Sequence, residues 1–150
     1  MNMNSVKIYN NEYEIAIRSL MIINKYENGI DIDSLIILDY LSLHSNVFDK
    51  ELISLHPDNP FFGIELFSKR NLIKKSINLL LQKGLIHINY SDIGILYVAS
   101  DAVNYFLSYF DGDYYNKLEL NINEVIARFK NFSREELESY VYRNIELWKG

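Results

Sequence analysis

Between Leu79 and Ser100 the chain reads LLLQKGLIHINYSDIGILYVAS, and this stretch limits the fold more than any other. A glycine that follows a leucine run and a lysine marks a helix end, because glycine accepts the left-handed backbone that closes the last turn. The segments LIHINY and ILYVAS are short and rich in β-branched and aromatic residues. The four-residue polar link SDIG separates them, so they read as a β-hairpin. A chain with one small hairpin must build its core from helices.

The helices follow from apolar spacing. Residues 11–28 carry Tyr13, Ala16, Ile17, Leu20 and Ile23 at helical intervals, and Asn28-Gly29 suits the C-terminal cap. A second helix begins with Asp33 as its N-cap, where a carboxylate accepts orphan backbone N–H groups. Leu35, Ile36, Leu38, Leu41 and Leu43 surround that helix, which predicts a central position. Residues 46–62 form a connector with a short turn over 49–54. It holds Pro57 and Pro60, the chain's two prolines, which disfavour helix just before them. A third helix over 63–83 places Leu66, Arg70, Ile73, Ile77 and Leu80 on one face and stops at Gly84.

After the hairpin, Ser100 is expected to cap a fourth helix, with Asp101 in its first turn and Val103, Phe106, Leu107 and Phe110 as its stripe. Asp111-Gly112-Asp113 breaks it. A fifth helix over 114–131 turns Leu118, Ile122, Val125 and Phe129 inward. Ser133 and Glu136 form a capping box for a sixth helix carrying Leu137, Tyr140, Val141, Ile145 and Trp148. Three helices and a two-stranded wing predict a mainly α protein of the winged helix-turn-helix class with additional C-terminal helices. The expected division is a winged-helix domain over 1–110 and a helical extension packed on it over 111–150.

Enzyme chemistry finds no foothold. There is no cysteine, and His44, His56 and His87 stand apart with no His-x-x-x-His or His-Glu pair. No nucleophile elbow, phosphate-binding loop or dinucleotide fingerprint occurs. The expectation is a protein with no catalytic residue, metal or cofactor. The N-terminus lacks a signal-peptide pattern and the apolar runs are too short to span a bilayer, which predicts a soluble cytoplasmic chain with no membrane contact.

The net charge of −5 is uneven: residues 61–99 carry five bases against two acids, a net +3. Lys69, Arg70, Lys74 and Lys75 are therefore the candidates for nucleic-acid contact, and Lys74 and Lys75 can point outward from the third helix. The plainer reading of the same residues is a solubilising face. Aromatic residues crowd the C-terminal half, and Tyr109 and Trp148 are candidates for an interface.

The run DNPFFGIELFSKRNLIKKSINLLLQKGLI resembles the middle components of bacterial ABC-three-component systems. The likeness rests on Asn59-Pro60-Phe61, Glu65, Lys69-Arg70 and Gly84-Leu85-Ile86. It continues downstream through Ala99, Ala102, Val103, Phe106 and Leu107. The chain departs from the pattern at Phe62, where relatives carry a basic or polar residue, and it lacks the tryptophan common in their fifth helix.

The resemblance implies a non-enzymatic subunit that links a coiled-coil ATPase of the SMC or Rad50 type to an effector, such as a nuclease. Lamassu-type anti-phage and anti-plasmid defence is the best-known example, and there DNA is met through the complex. Asn59, Pro60, Phe61, Phe62 and Glu65 are then the candidate partner contacts, with Phe61 stapling the third helix and Phe62 exposed as the anchor. The alternative is a winged-helix DNA-binding transcriptional regulator, which needs a symmetric dimer and a basic recognition surface.

Overall fold

The computed structural model of the chain describes residues 12–45, 48 and 62–144, the stretch 62–67 by its backbone alone. The elements are α1 (Glu12–Ile23), α2 (Ile32–Leu43), α3 (Phe62–Gln82), β1 (Ile86–Ser91), β2 (Gly94–Ala99), α4 (Val103–Leu107), α5 (Asp113–Phe129) and α6 (Arg134–Asn144). The described part is mainly helical, with one two-stranded antiparallel sheet.

α2 occupies the centre. It packs against α1, α3, α5, α6 and β2, and every residue from Ser34 to Leu43 is buried. Leu35, Leu38, Leu41 and Leu43 are each fully enclosed, and burying such a side chain contributes about 1.5–3 kcal/mol. Leu118, Ile122, Val125 and Phe129 of α5 join the same cluster, as do Leu137 and Val141 of α6. The two C-terminal helices thus share one core with the first three.

The helix ends show where local chemistry decides. Asp31, not Asp33, caps α2: its side chain accepts from the Ser34 N–H at 3.0 Å and the Ser34 hydroxyl at 2.7 Å. Asp33 stands two residues further on, in the first turn of α2, and pairs with Arg70 of α3. α1 ends at Ile23, short of the expected residue 28. Its exit runs through tight turns, with Tyr26 donating to Ile23 and Gly29 to Tyr26. α3 stops at Gly84 as expected. Leu85 N–H donates to Leu80 O at 3.0 Å and Gly84 N–H to Leu81 O at 3.1 Å, with Gly84 at φ 72°. That is a Schellman ending, which needs the left-handed conformation at the glycine.

The hairpin pairs Ile86 with Ala99 through to Ser91 with Gly94, so the link is Asp92-Ile93 and shorter than the four residues expected. The outer edge of β2 is tied to the segment before α2: Ile30 N–H donates to Tyr97 O at 3.1 Å and Tyr97 N–H to Ile30 O at 2.9 Å. Gly29 makes that approach feasible, since a Cβ there would sit 2.9 Å from Val98 Cγ2.

Ser100 does not cap α4. Ala102 holds the cap position without a side-chain bond, while the Ser100 backbone carbonyl accepts from Val103 N–H at 3.3 Å. The capping box of α6 is formed: Glu136 N–H donates to Ser133 Oγ at 3.1 Å and Ser133 N–H to Glu136 Oε1 at 2.8 Å. Most of the connector 46–62, with both prolines and the turn expected over 49–54, lies outside the described residues. Phe48 within it packs edge-on against Phe129, with ring centroids 5.5 Å apart.

Candidate partner-binding surfaces

The basic residues of α3 divide into two groups. Lys69, expected on an exposed basic face, is buried and its Nζ donates to Asp39 Oδ2 at 3.3 Å. Arg18 of α1 grips the same carboxylate with two bonds, Nε to Oδ1 at 2.9 Å and Nη2 to Oδ2 at 3.2 Å. Helices α1, α2 and α3 therefore meet on one buried ion cluster. Burial alone would push the Asp39 carboxyl up; Arg18 and Lys69 outweigh it and hold Asp39 below the usual carboxylate range.

Glu14, one turn before Arg18, is also buried. Desolvation raises its pKa although the Tyr115 hydroxyl donates to it at 2.9 Å. Arg70 is half-exposed and engaged by Asp33. Of the four named bases, Lys74 and Lys75 face solvent, and no carboxylate among the described residues holds them.

The hairpin has the wrong chemistry for phosphate. No Lys or Arg occurs between Lys83 and Lys117, an interval that holds Asp92, Asp101, Asp111 and Asp113. What the hairpin end exposes instead is apolar: Tyr90 at 77 %, Ile93 at 72 % and Ile95. Aromatic surface continues at the next helix. Tyr105 and Tyr109 are both largely exposed, their rings meet edge to face with centroids 5.5 Å apart, and the Tyr109 hydroxyl donates to that of Tyr105 at 2.8 Å. Such a pair offers large, rigid, amphipathic contact area at small entropic cost.

Beside this pair, between α1, the end of α3 and α4, lies an apolar groove of 540 Å³. It is lined by Tyr13, Ile17, Leu79, Leu85, Phe106 and Phe110, with Lys83 at its edge. Sequence periodicity assigned Tyr13 and Phe110 to core stripes. The structure leaves Tyr13 66 % exposed on the groove instead. The groove itself was illegible in the sequence because its walls come from three elements far apart in the chain.

Of the other candidate contacts, Asn59, Pro60, Phe61 and Trp148 lie outside the described residues, and Phe62 and Glu65 are placed by backbone only, in the first turn of α3. His44 is the C-cap residue of α2, buried with its ring 4.5 Å from that of Tyr40; His87 is exposed on β1, and His56 is not among the described residues. Among the described residues no group of His, Asp or Glu has the geometry to hold a metal ion. No helix among them is long and apolar enough to cross a membrane.

These observations define a small helical protein with an apolar hairpin tip and aromatic surface, which is the profile of a subunit that meets other proteins. The chain belongs to the ABC-three component (ABC-3C) system Middle Component 2 family, MC2, whose family model matches residues 8–150. It is thus a middle component of such a system, and a multi-component system implies protein partners. No curated protein and no solved structure matches it.

Proposed function

We propose that the chain is a non-catalytic linking subunit that joins an SMC- or Rad50-like ATPase to an effector in a Lamassu-type defence complex directed against phage and plasmid DNA, acting in the cytoplasm. The observation that carries this reading is membership of the middle-component family along nearly the whole chain. The surface supports it: exposed aromatic and aliphatic residues on the hairpin and after it, and no base across the hairpin. In this reading α1–α3 and the hairpin are a winged helix over 1–110 that has lost the basic wing of a DNA reader, and 111–150 is an extension completing its core. Lys74 and Lys75 give only weak, sequence-independent phosphate contacts. The regulator reading fares worse, because a basic recognition surface is its central requirement.

The segment Asn59-Pro60-Phe61-Phe62 is the proposed anchor for the ATPase. Affinity capture from cells expressing the whole operon tests it, with Phe62→Asp as the variant. Losing an aromatic anchor costs about 2–4 kcal/mol, which is about 30- to 1,000-fold in affinity. Capture of the ATPase should therefore collapse while thermal unfolding of the isolated variant stays unchanged. A wild-type chain that captures no ATPase overturns the linking role. A variant that captures normally overturns the anchor.

A further inference from the structure

We propose that the outer edge of β1 pairs antiparallel with the β1 of a second copy of this chain, centred on Asn89. The direction of the backbone groups sets this edge. Tyr97 turns its N–H and C=O away from β1 toward Ile30. Its partner across the hairpin, Ile88, must turn its own outward on the opposite edge, and by the two-residue alternation of a strand so must Ile86 and Tyr90.

The two edges are treated differently by the fold. β2 is covered by Ile30 and packs toward α1 and α2. On β1, Ile86 is 3 % exposed and inaccessible. Ile88 and Tyr90 make no backbone hydrogen bond outside the hairpin among the described residues.

The occupant follows from the strand's own chemistry. IHINYS carries no Lys, Pro, Asp or Glu. Nor is it bulged, its residues running in unbroken register with β2. It therefore lacks the devices by which sheet edges avoid pairing. A two-fold axis at Asn89 sets Ile88 opposite Tyr90 of the copy and Tyr90 opposite Ile88. All the outward groups of both residues are then satisfied at once, and the interface is isologous. The side chains agree with this register. Ile88 and Tyr90 share one face, so each pairs an aliphatic with an aromatic residue, a favourable cross-strand combination. Asn89 meets Asn89 on the other face. A chain of net charge −5 meets its copy here through an uncharged strand, so no like charges are forced together. The partner strand also covers Tyr90, one of the most exposed aromatic residues described. Ile86 being inaccessible excludes the neighbouring register centred on Ile88. None of this depends on the ATPase-linking role.

The test uses the full chain, which has no cysteine, so single cysteines report cleanly. In this register the two Asn89 Cα atoms face each other as a non-hydrogen-bonded pair about 4.5 Å apart, within reach of a disulfide. The two His87 residues lie about 14 Å apart along the strands. Asn89→Cys should oxidise to a covalent dimer and His87→Cys should not. Wild type should sediment as a dimer that dissociates on dilution. Tyr90→Pro, which removes only an outward N–H from the hairpin's bonding pattern, should be monomeric with an unchanged circular dichroism spectrum. Equal crosslinking of the two cysteine variants, a monomeric wild type, or a folded Tyr90→Pro dimer each overturns the proposal. Should Tyr90→Pro unfold, the cysteine pair decides alone.

Discussion

Asp39→Ala is expected to cost about 3–5 kcal/mol, the range for removing one partner of a buried ion pair. The structure explains why the value should fall there. Asp39 is 1 % exposed in the middle of α2, Arg18 is 0 % exposed and Lys69 7 %. The substitution takes from Arg18 both bonds of its bidentate contact with Asp39 and from Lys69 its bond to Asp39, while both cations stay far from water. An exposed pair of the same chemistry is worth only about 0–1 kcal/mol, so burial decides the magnitude. Urea unfolding followed by circular dichroism measures it; an unchanged m-value keeps the comparison two-state. At about 2–4 °C per kcal/mol for a chain of this size, Tm should fall by about 6–20 °C.

The sign of the pH dependence is fixed too. The folded pKa of Asp39 is depressed, so its contribution is complete above the unfolded carboxylate value and is lost as pH falls toward the folded one. The gap between wild type and Asp39→Ala should stay constant between about pH 6 and 8 and shrink below about pH 4. A loss under about 1 kcal/mol at neutral pH would refute the argument, because the cluster would then be no better than a surface pair.

Gly29→Ala should destabilise by more than about 1 kcal/mol, since Gly29 has φ 98° and the new Cβ would press on Val98 and the Tyr97 carbonyl; thermal unfolding reads it. Ser133→Ala removes one bond of the capping box and should cost about 1 kcal/mol, with the loss of protection in hydrogen exchange confined to α6. The double variant Lys74→Glu, Lys75→Glu should leave stability within about 0.5 kcal/mol of wild type. It should weaken DNA binding by the assembled complex equally on every sequence, and lower its salt slope by about 2.

What the sequence made legible was local. The spacing of Leu118, Ile122, Val125 and Phe129 marks a buried stripe because a helix repeats its face every three to four residues, and all four are buried. Gly84 and the Ser133–Glu136 box act on backbone groups within a few positions, so their effect can be read without knowing the fold. Asp31 and Asp33 are both good caps, and which one serves depends on where α2 packs, which no window of residues contains. Lys69 looked like its neighbours Arg70, Lys74 and Lys75. Its partner Asp39 is thirty positions away, and only the packing of α3 on α2 turns that lysine inward. The apolar groove and the free edge of β1 were hidden for the same reason: both are defined by what other elements cover or leave uncovered.

The position of the ion cluster follows from the one helix that periodicity cannot orient. α2 is apolar on every side and buried from Ser34 to Leu43, so hydrophobic burial changes little as the helix rotates about its axis or slides by a residue. One carboxylate at Asp39 breaks that degeneracy, because only one rotation brings it to Arg18 of α1 and Lys69 of α3 together. The expected consequence separates stability from uniqueness. Replacing all three residues with apolar ones of similar volume (Arg18→Met, Asp39→Leu, Lys69→Met) removes the desolvation cost along with the pairing. It should recover most of the stability lost in Asp39→Ala. Near-UV circular dichroism and amide dispersion in NMR should nevertheless degrade, because Tyr114 and Tyr115 beside the cluster no longer have one fixed packing. A triple variant as stable as wild type with undiminished near-UV signal and dispersion would show that apolar shape alone sets the register of α2, and the ion cluster would then need a different explanation.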